Sequence, residues 1–227
     1  MKNTSGRGLP VNLVMIGPPA AGKGTQAETI ARERGVPKIS TGDILREAIL
    51  QGTELGLRAK AIVDRGDLVG DDVMIGIVQQ RLNRPDALRG FVLDGFPRTI
   101  PQAKALDEML AGRGPLIVVE MVVPHDELVR RMTGRRICAS CGATANASDV
   151  KCRECGGAEL VLRSDDGGAE IRERRLEVYA RQTEPIVRYY RNRPTFRSIS
   201  GAQAPDRVAA EFDAAIDSAL ETTGSSR

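Results

Sequence analysis

Hydrophobic and polar residues follow one another in blocks that predict short buried strands separated by helices. Five short apolar segments, most of them rich in β-branched residues, predict strands buried on both faces, at residues 11–16, 37–39, 91–93, 116–123 and 195–199. A helical period predicts helices at residues 23–34, 42–51, 56–65, 71–82, 101–111, 126–133, 170–190 and 205–220. Strands that alternate with helices form a parallel sheet covered on both faces, so the pattern predicts an α/β fold with a five-stranded parallel sheet.

Two stretches interrupt the alternation of strands and helices and are predicted insertions. Residues 41–68 carry two helical patterns with no strand between them, and residues 134–168 are rich in glycine and cysteine and only weakly periodic. We therefore expect a chain divided as follows: a core domain at 11–39, 70–131 and 169–222, a first lobe at 40–69, a second lobe at 132–168, and tails at 1–10 and 223–227.

Composition favours a globular protein that works on small anions. The 227 residues are 41% hydrophobic and 28% charged, which suffices for one core and small inserted lobes. The net charge of +3 is too small and dispersed for nucleic-acid binding, and only 3% of residues are aromatic and able to stack on bases. No apolar run approaches the roughly 20 residues of a membrane span. We expect a cytoplasmic monomer with no membrane or nucleic-acid partner.

All four cysteines lie in the second lobe, as two Cys-x-x-Cys pairs: Cys138 with Cys141, and Cys152 with Cys155. In a cytosolic chain this spacing favours a metal over disulfides. Four thiolates suit one tetrahedral Zn²⁺ in a closed structural site, which leaves no position for a reactive water. We expect Zn²⁺ to stabilise this lobe rather than to act in chemistry. Disulfides, reduced thiols without metal, and iron in place of zinc are the alternatives.

A glycine-rich loop follows the first predicted strand and opens the first predicted helix. Its residues are Gly17, Pro18, Pro19, Ala20, Ala21, Gly22, Lys23, Gly24 and Thr25. At a helix N-terminus, backbone N–H groups and the helix dipole favour anions, so the loop is a candidate phosphate-binding loop. Lys23 adds a positive charge toward the β- and γ-phosphates of a nucleotide. The general pattern has Ser or Thr directly after the lysine, whereas here Gly24 precedes Thr25.

Three further strings accompany the Gly-Lys-Gly-Thr ending of this loop. They are Ser-Thr-Gly-Asp-Ile-Leu-Arg at 40–46, Asp-Gly-Phe-Pro-Arg-Thr at 94–99 and Gly-Arg-Arg at 134–136. In order and spacing, the four strings resemble the adenylate kinase family, and the resemblance extends from Val11 to about Ala219. It implies a P-loop kinase fold and reversible, in-line phosphoryl transfer from Mg·ATP to AMP, giving two ADP under a closing lid. One departure is Ala20, where the family usually has glycine.

The resemblance also implies which residues contact the nucleotides. The first lobe would bind the nucleoside monophosphate, and the second lobe would be the lid. The residues implied for AMP are Thr41, Arg46, Leu68, Val69, Gly95, Arg98, Gln102, Arg163 and Arg175. Among these, Arg46 and Arg98 would hold the phosphate, for which a guanidinium fork is well shaped, and Gln102 would bond the adenine edge. The residues implied for ATP are those of the loop, together with Arg131, Arg135 and Gln203.

The resemblance further implies the catalytic groups. They are Lys23, Arg98, Arg135, Arg163 and Arg175, which would stabilise charge on the transferring phosphoryl group. Asp43 and Asp94 would hold Mg²⁺ through water. The segment from 165 to 179 is one residue longer than in the family, so Arg172 or Arg174 are alternatives to Arg175.

Two other functions stay open from sequence. One is a kinase of the same fold that takes UMP or CMP as acceptor, or GTP as donor; Thr41 and Gln102 favour AMP by resemblance. The second, more remote, is an ATP-gated zinc-ribbon module that binds nucleic acid. Against it, the charges between Cys138 and Cys155 cancel and no aromatic residue lies among them.

Overall fold

The computed structural model describes residues 11–145 and 149–224. The expected tail at 1–10, and residues 225–227 of the other, lie outside the described residues. The strands are β1 (Asn12–Ile16), β2 (Lys38–Ser40), β3 (Phe91–Asp94), β4 (Leu116–Val122), β5 (Arg136–Cys138), β6 (Thr144–Ala145), β7 (Leu160–Leu162) and β8 (Phe196–Ser200). The helices are α1 (Lys23–Arg34), α2 (Thr41–Leu50), α3 (Glu54–Asp64), α4 (Asp71–Leu82), α5 (Ile100–Met109), α6 (His125–Thr133), α7 (Ala169–Val178), α8 (Glu184–Tyr190) and α9 (Pro205–Gly224).

A five-stranded sheet in the order β2-β3-β1-β4-β8 forms the core, and every neighbouring pair is parallel. This confirms the fold predicted from the strand pattern. Alternate residues of β1 pack on opposite faces: Leu13 and Met15 join a cluster with α1 and α9, whereas Val14 and Ile16 join a cluster with α4, α5 and α8. The central strands β1, β3 and β4 are predominantly apolar because helices cover both faces of the sheet, whereas the edge strands β2 and β8 contain polar residues.

The parallel topology places the candidate chemistry at one edge of the sheet. The glycine-rich loop follows β1, Thr41 follows β2 and Asp94 ends β3. Carboxyl ends of parallel strands meet at the same edge, which is where ligands bind in open α/β sheets. Residues far apart in sequence therefore converge there.

The first lobe consists of α2 and α3, each of which begins at a side-chain cap. Ser40 accepts a hydrogen bond from the backbone N–H of Asp43, and Thr53 accepts one from Gly56. The two helices cross so closely that a Cβ at Gly56 would lie 2.0 Å from the carbonyl oxygen of Ala48. Only glycine allows this approach.

The second lobe contains a small antiparallel sheet that was not predicted, in the order β6-β5-β7. Strands of two or three residues are too short to show a hydrophobic period. This lobe touches the first lobe: Ser164 Oγ donates to Asp64 Oδ1 at 2.9 Å, and Leu50 lies beside Gly142. The two lobes therefore meet over the edge of the sheet.

The prediction of a single helix at 170–190 is wrong in the middle of that range. A π-helical turn at Tyr179–Thr183 separates α7 from α8. Pro185 has no N–H to donate, so it cannot continue the helical hydrogen-bond ladder, and the wider turn accommodates it. The last helix also continues to Gly224, two residues into the expected tail. Among the described residues, no helix is long and apolar enough to cross a membrane.

Candidate active site

A cavity of about 1420 Å³ lies between the sheet edge and the two lobes. A smaller pocket adjoins it. The predicted site residues that line the large cavity are Gly17, Pro19, Ala20, Ala21, Gly22, Lys23, Gly24, Thr25, Asp43, Arg46, Leu68, Asp94, Gly95, Arg98, Arg131, Arg135, Cys141, Arg163, Arg175 and Gln203. Those that line the smaller pocket are Thr41, Arg46, Leu68, Val69, Gly95, Arg98, Gln102, Arg163 and Arg175.

The glycine-rich loop curls around the amine of Lys23. Lys23 Nζ donates to the carbonyl oxygens of Gly17 and Pro18 at 2.7 and 2.8 Å, so Pro18 contributes through its backbone while its side chain stays outside the cavity lining. Burial lowers the pKa of Lys23 to about 8, against the opposing charge of Asp94. Ala20 has φ 62°, the left-handed conformation that glycine adopts more readily.

Two buried carboxylates hold three arginines over the loop. Asp165 pairs with Arg163 at 2.6 Å and with Arg175 at 2.7 Å. Asp166 pairs with Arg135 at 2.7 Å and with Arg175 at 2.5 Å. Burial alone would raise the pKa of Asp165, but hydrogen bonding to Arg163 and the charge of Arg175 hold it well below its usual value. Both acids are bound to cations, so the arginines are fixed in position before any phosphate binds.

Arg175 is the arginine of α7 that reaches the cavity. Its side chain passes beside Gly66 of the first lobe and lines both pockets. Arg174 points to solvent, where it pairs with Asp67 at 2.9 Å and is 48% exposed. Arg172 donates to the backbone oxygen of Asp166 and is not among the described lining residues. Of the three candidates, the geometry therefore favours Arg175.

The smaller pocket combines an apolar wall with a polar corner. The wall includes Leu68, Val69 and Met74. At the corner, Gln102 is only 2% exposed; its Nε2 donates to Asp71 at 2.8 Å and its Oε1 accepts from the backbone N–H of Arg98 at 2.8 Å. A side-chain amide has two N–H donors and two acceptor lone pairs. Gln102 therefore keeps one donor and one acceptor for a planar base.

Two carboxylates stand near the loop in different environments. Asp94 lies next to the loop, since a Cβ at Gly24 would be 3.5 Å from Asp94 Oδ2. Asp43 pairs with Arg46 and, at 3.2 Å, with Lys38. Although burial opposes it, the charges of Arg46 and Lys38 lower the pKa of Asp43. Carboxylate oxygens suit Mg²⁺. Asp94 lies beside the loop and fits this role, whereas both oxygens of Asp43 already face cations.

Arg131 and Gln203 also line the large cavity. Arg131 bridges two backbone segments, donating to Ala21 O at 3.2 Å and to Gly201 O at 3.0 Å. Gln203 Nε2 donates to Glu211 at 2.7 Å. Gln26, which sequence reasoning missed, is 4% exposed and donates to Pro205 O at 2.9 Å. Its partner lies 179 positions later in the chain, so no local sequence pattern indicates this bond.

The four cysteine sulfurs lie within 4.8 Å of one another. The Sγ atoms of Cys138 and Cys155 are 3.5 Å apart, as are those of Cys141 and Cys152. Tetrahedral Zn²⁺ with bonds of ~2.3 Å separates its sulfurs by about 3.8 Å, so the cluster fits this ion. Hydrogen bonds from backbone N–H groups, chiefly that of Cys141, lower the pKa of Cys138, whereas, against the backbone N–H of Ala143, burial and hydrogen bonding to the other thiols raise the pKa of Cys141.

Comparison of the sequence with known proteins gives the same family in each case. The sequence model of the family described as adenylate kinase matches residues 15–195. An adenylate kinase of Archaeoglobus fulgidus is 47% identical over 215 residues, which covers 91% of this chain and 98% of that protein. One of Methanocella arvoryzae is 48% identical with the same coverage, and one of Moorella thermoacetica is 50% identical over 86% of this chain and 92% of that protein.

Proposed function

This chain belongs to the adenylate kinase family and is a phosphotransferase, and we propose that its large cavity transfers the γ-phosphoryl group of Mg·ATP reversibly to AMP, giving two ADP. One observation carries the proposal. Arg98, Arg163 and Arg175 line both the large cavity and the smaller pocket, so two nucleotides bound in the two spaces would share one set of cations. That arrangement suits direct transfer between two phosphates.

Binding of ATP would rely on the loop and its lysine. The backbone N–H groups of the loop, which Pro18 and Pro19 lack, would cradle the β- and γ-phosphates, and Lys23 would exchange the carbonyls of Gly17 and Pro18 for a phosphate oxygen. Arg131 and Gln203 border the donor base. Bound Mg²⁺ neutralises charge on the phosphates, and Asp94 would hold it through water; Asp43 would be a second partner after it releases Arg46 or Lys38, with which it pairs here.

Binding of AMP would use the smaller pocket. Leu68 and Val69 pack on the base, and Thr41 and Gln102 border it. Arg46 and Arg98 hold the phosphate. Arg135, Arg163 and Arg175 stabilise the charge that spreads over the transferring group. Positioning and electrostatics supply the acceleration, so the reaction requires no general base.

The lobes would act as covers. Contacts such as Ser164 with Asp64 join the second lobe, the lid, to the AMP-binding lobe, and closure of this kind excludes the water that would hydrolyse ATP. We propose that Zn²⁺ on the four cysteines stabilises the lid. We also propose a monomer located in the cytoplasm, whose reducing conditions keep the four cysteines from forming disulfides.

The test is the stoichiometry of the reaction in wild type and a Lys23→Ala variant. Each ATP consumed with AMP should yield two ADP, and Lys23→Ala should abolish turnover while circular dichroism and melting temperature stay near wild type. Lys104→Ala is a matched control, since Lys104 is exposed on α5 away from the cavity. Near-normal turnover in Lys23→Ala would refute the phosphate-loop assignment.

A further inference from the structure

The side chain of Gln102 is held from both ends by groups of opposite hydrogen-bonding character. On one side the carboxylate of Asp71, at the start of α4, accepts from Nε2 at 2.8 Å. On the other side, the backbone N–H of Arg98 donates to Oε1 at 2.8 Å. Rotating the amide by 180° would place an oxygen against a carboxylate and an NH₂ against an N–H. The orientation of Gln102 is therefore determined by its neighbours.

Asp71 stands behind the pocket rather than in it. It is not among the described residues that line either cavity. Both of its oxygens also accept from Thr99 Oγ1 at 3.0 Å, and Thr99 caps α5 by accepting from the backbone N–H of Gln102. An ionised carboxylate can only accept hydrogen bonds, so it requires the NH₂ end of Gln102 to face it. The first turn of α4 is thereby tied to the first turn of α5.

A fixed amide distinguishes bases that present opposite edges. Adenine has an amino donor at C6 and an acceptor at N1. Hypoxanthine has a carbonyl acceptor at C6 and an N–H donor at N1. Gln102 has one remaining donor, on Nε2, and one remaining acceptor, on Oε1. Its fixed orientation determines which position in the pocket meets the donor and which meets the acceptor. A site built to bond one pattern rejects the reversed pattern, because buried polar groups are then left unpaired.

We propose that Asp71 is a positioning residue for acceptor selection: by fixing the amide of Gln102, it makes the smaller pocket accept AMP and reject IMP. The inference rests on the proposed function and deepens it. Asp71 does not touch the base; it acts through Gln102. Its neighbour Asp72 carries the same charge in the same helical turn but is exposed, so the two acids can be compared directly.

The experiment measures kcat/KM for AMP and for IMP in wild type, Asp71→Ala, Asp71→Asn and Asp72→Ala. IMP is also measured as a competitive inhibitor against AMP, so that its affinity is defined even at very low turnover. The ratio of AMP to IMP should fall about tenfold in Asp71→Ala, since the bond that orients the amide is lost. It should fall about threefold in Asp71→Asn, whose amide can present either an oxygen or an NH₂. Asp72→Ala should leave the ratio unchanged.

A purely structural role for Asp71 predicts a different result. Weakened packing of α4 would lower activity with AMP and with IMP alike, so an unchanged ratio in Asp71→Ala would overturn the proposal. If the alanine variant fails to fold, the ratio in Asp71→Asn decides the question in the same way. A wild-type chain that transfers no phosphate to AMP would refute the proposed function itself, which distinguishes the two failures.

Discussion

Replacing Asp166 with asparagine tests how the arginine cluster is held together. The Asp166 side chain is 2% exposed and pairs with Arg135 and Arg175 at 2.7 and 2.5 Å, with Arg163 at 3.8 Å. Asparagine keeps the shape and one acceptor oxygen but removes the charge, so the buried Arg135 loses its paired carboxylate and Arg175 keeps only the one of Asp165. Breaking a buried pair in this way costs about 3–5 kcal/mol. We expect the low end of that range, because one hydrogen bond survives.

The assay is thermal unfolding without nucleotide. For a chain of this size each kcal/mol lowers the melting temperature by about 2–4 °C, so Asp166→Asn should lose about 6–12 °C. Saturating ADP should reduce the difference, because its phosphates restore negative charge beside the arginines. The same substitution at Asp67 is the control. Asp67 also pairs with an arginine of α7, Arg174 at 2.9 Å, but is 29% exposed.

An exposed pair contributes about 0.2–1 kcal/mol, so Asp67→Asn should lower the melting temperature by less than about 4 °C, and by less still in high salt. Equal shifts in Asp67→Asn and Asp166→Asn would refute the argument from burial. A melting temperature that rises in Asp166→Asn would show that desolvation of the carboxylate outweighs its pairing with the arginines.

Two further predictions concern the loop and the lid. Burial lowers the pKa of Lys23 from its usual 10.5 to about 8, so much of the amine is neutral above about pH 8; bound phosphates favour the ammonium form. Nucleotide binding should therefore take up protons above about pH 8, and this uptake should cease near about pH 6.5. Calorimetry in buffers of different ionisation enthalpy measures the uptake, and the Lys23→Ala variant should show none. Proton uptake that persists in the variant would mean that another group binds the protons. Cys138→Ser should lower the zinc content and the melting temperature more than it lowers turnover at about 25 °C, because four thiolates leave no open position on the metal for chemistry. A loss of turnover as large as the loss of bound zinc would contradict a purely structural site.

The core could be predicted because its signals are local. Residues 11–16 are apolar except for Asn12, and the glycines after them precede a clear helical period, so strand, loop and helix follow from short-range preferences. The sheet of the lid could not be predicted, because its strands contain two or three residues and are too short to show a hydrophobic period. The π turn before Pro185 was missed because a helical period continues through it.

The identities of supporting residues were harder to predict than the site itself. Asp71 and Asp72 are adjacent acids at a helix start, and nothing local shows that only Asp71 reaches Gln102, which lies thirty-one positions later in sequence. Likewise, Arg174 and Arg175 differ only in their position around α7, and their partners, Asp67 and Asp166, come from elsewhere in the chain. Such roles depend on tertiary contacts, which a single sequence does not display.

Acceptor selectivity tests the central claim most directly. ADP formation from Mg·ATP is measured with AMP, CMP, UMP and GMP offered separately under the same conditions. The account predicts rapid turnover with AMP and little with the other three, because the pocket of Thr41, Leu68, Val69 and Gln102 is proposed to fit adenine. Preferential turnover with a pyrimidine acceptor would contradict it while leaving the fold intact. Absence of turnover with every acceptor would refute the kinase assignment itself.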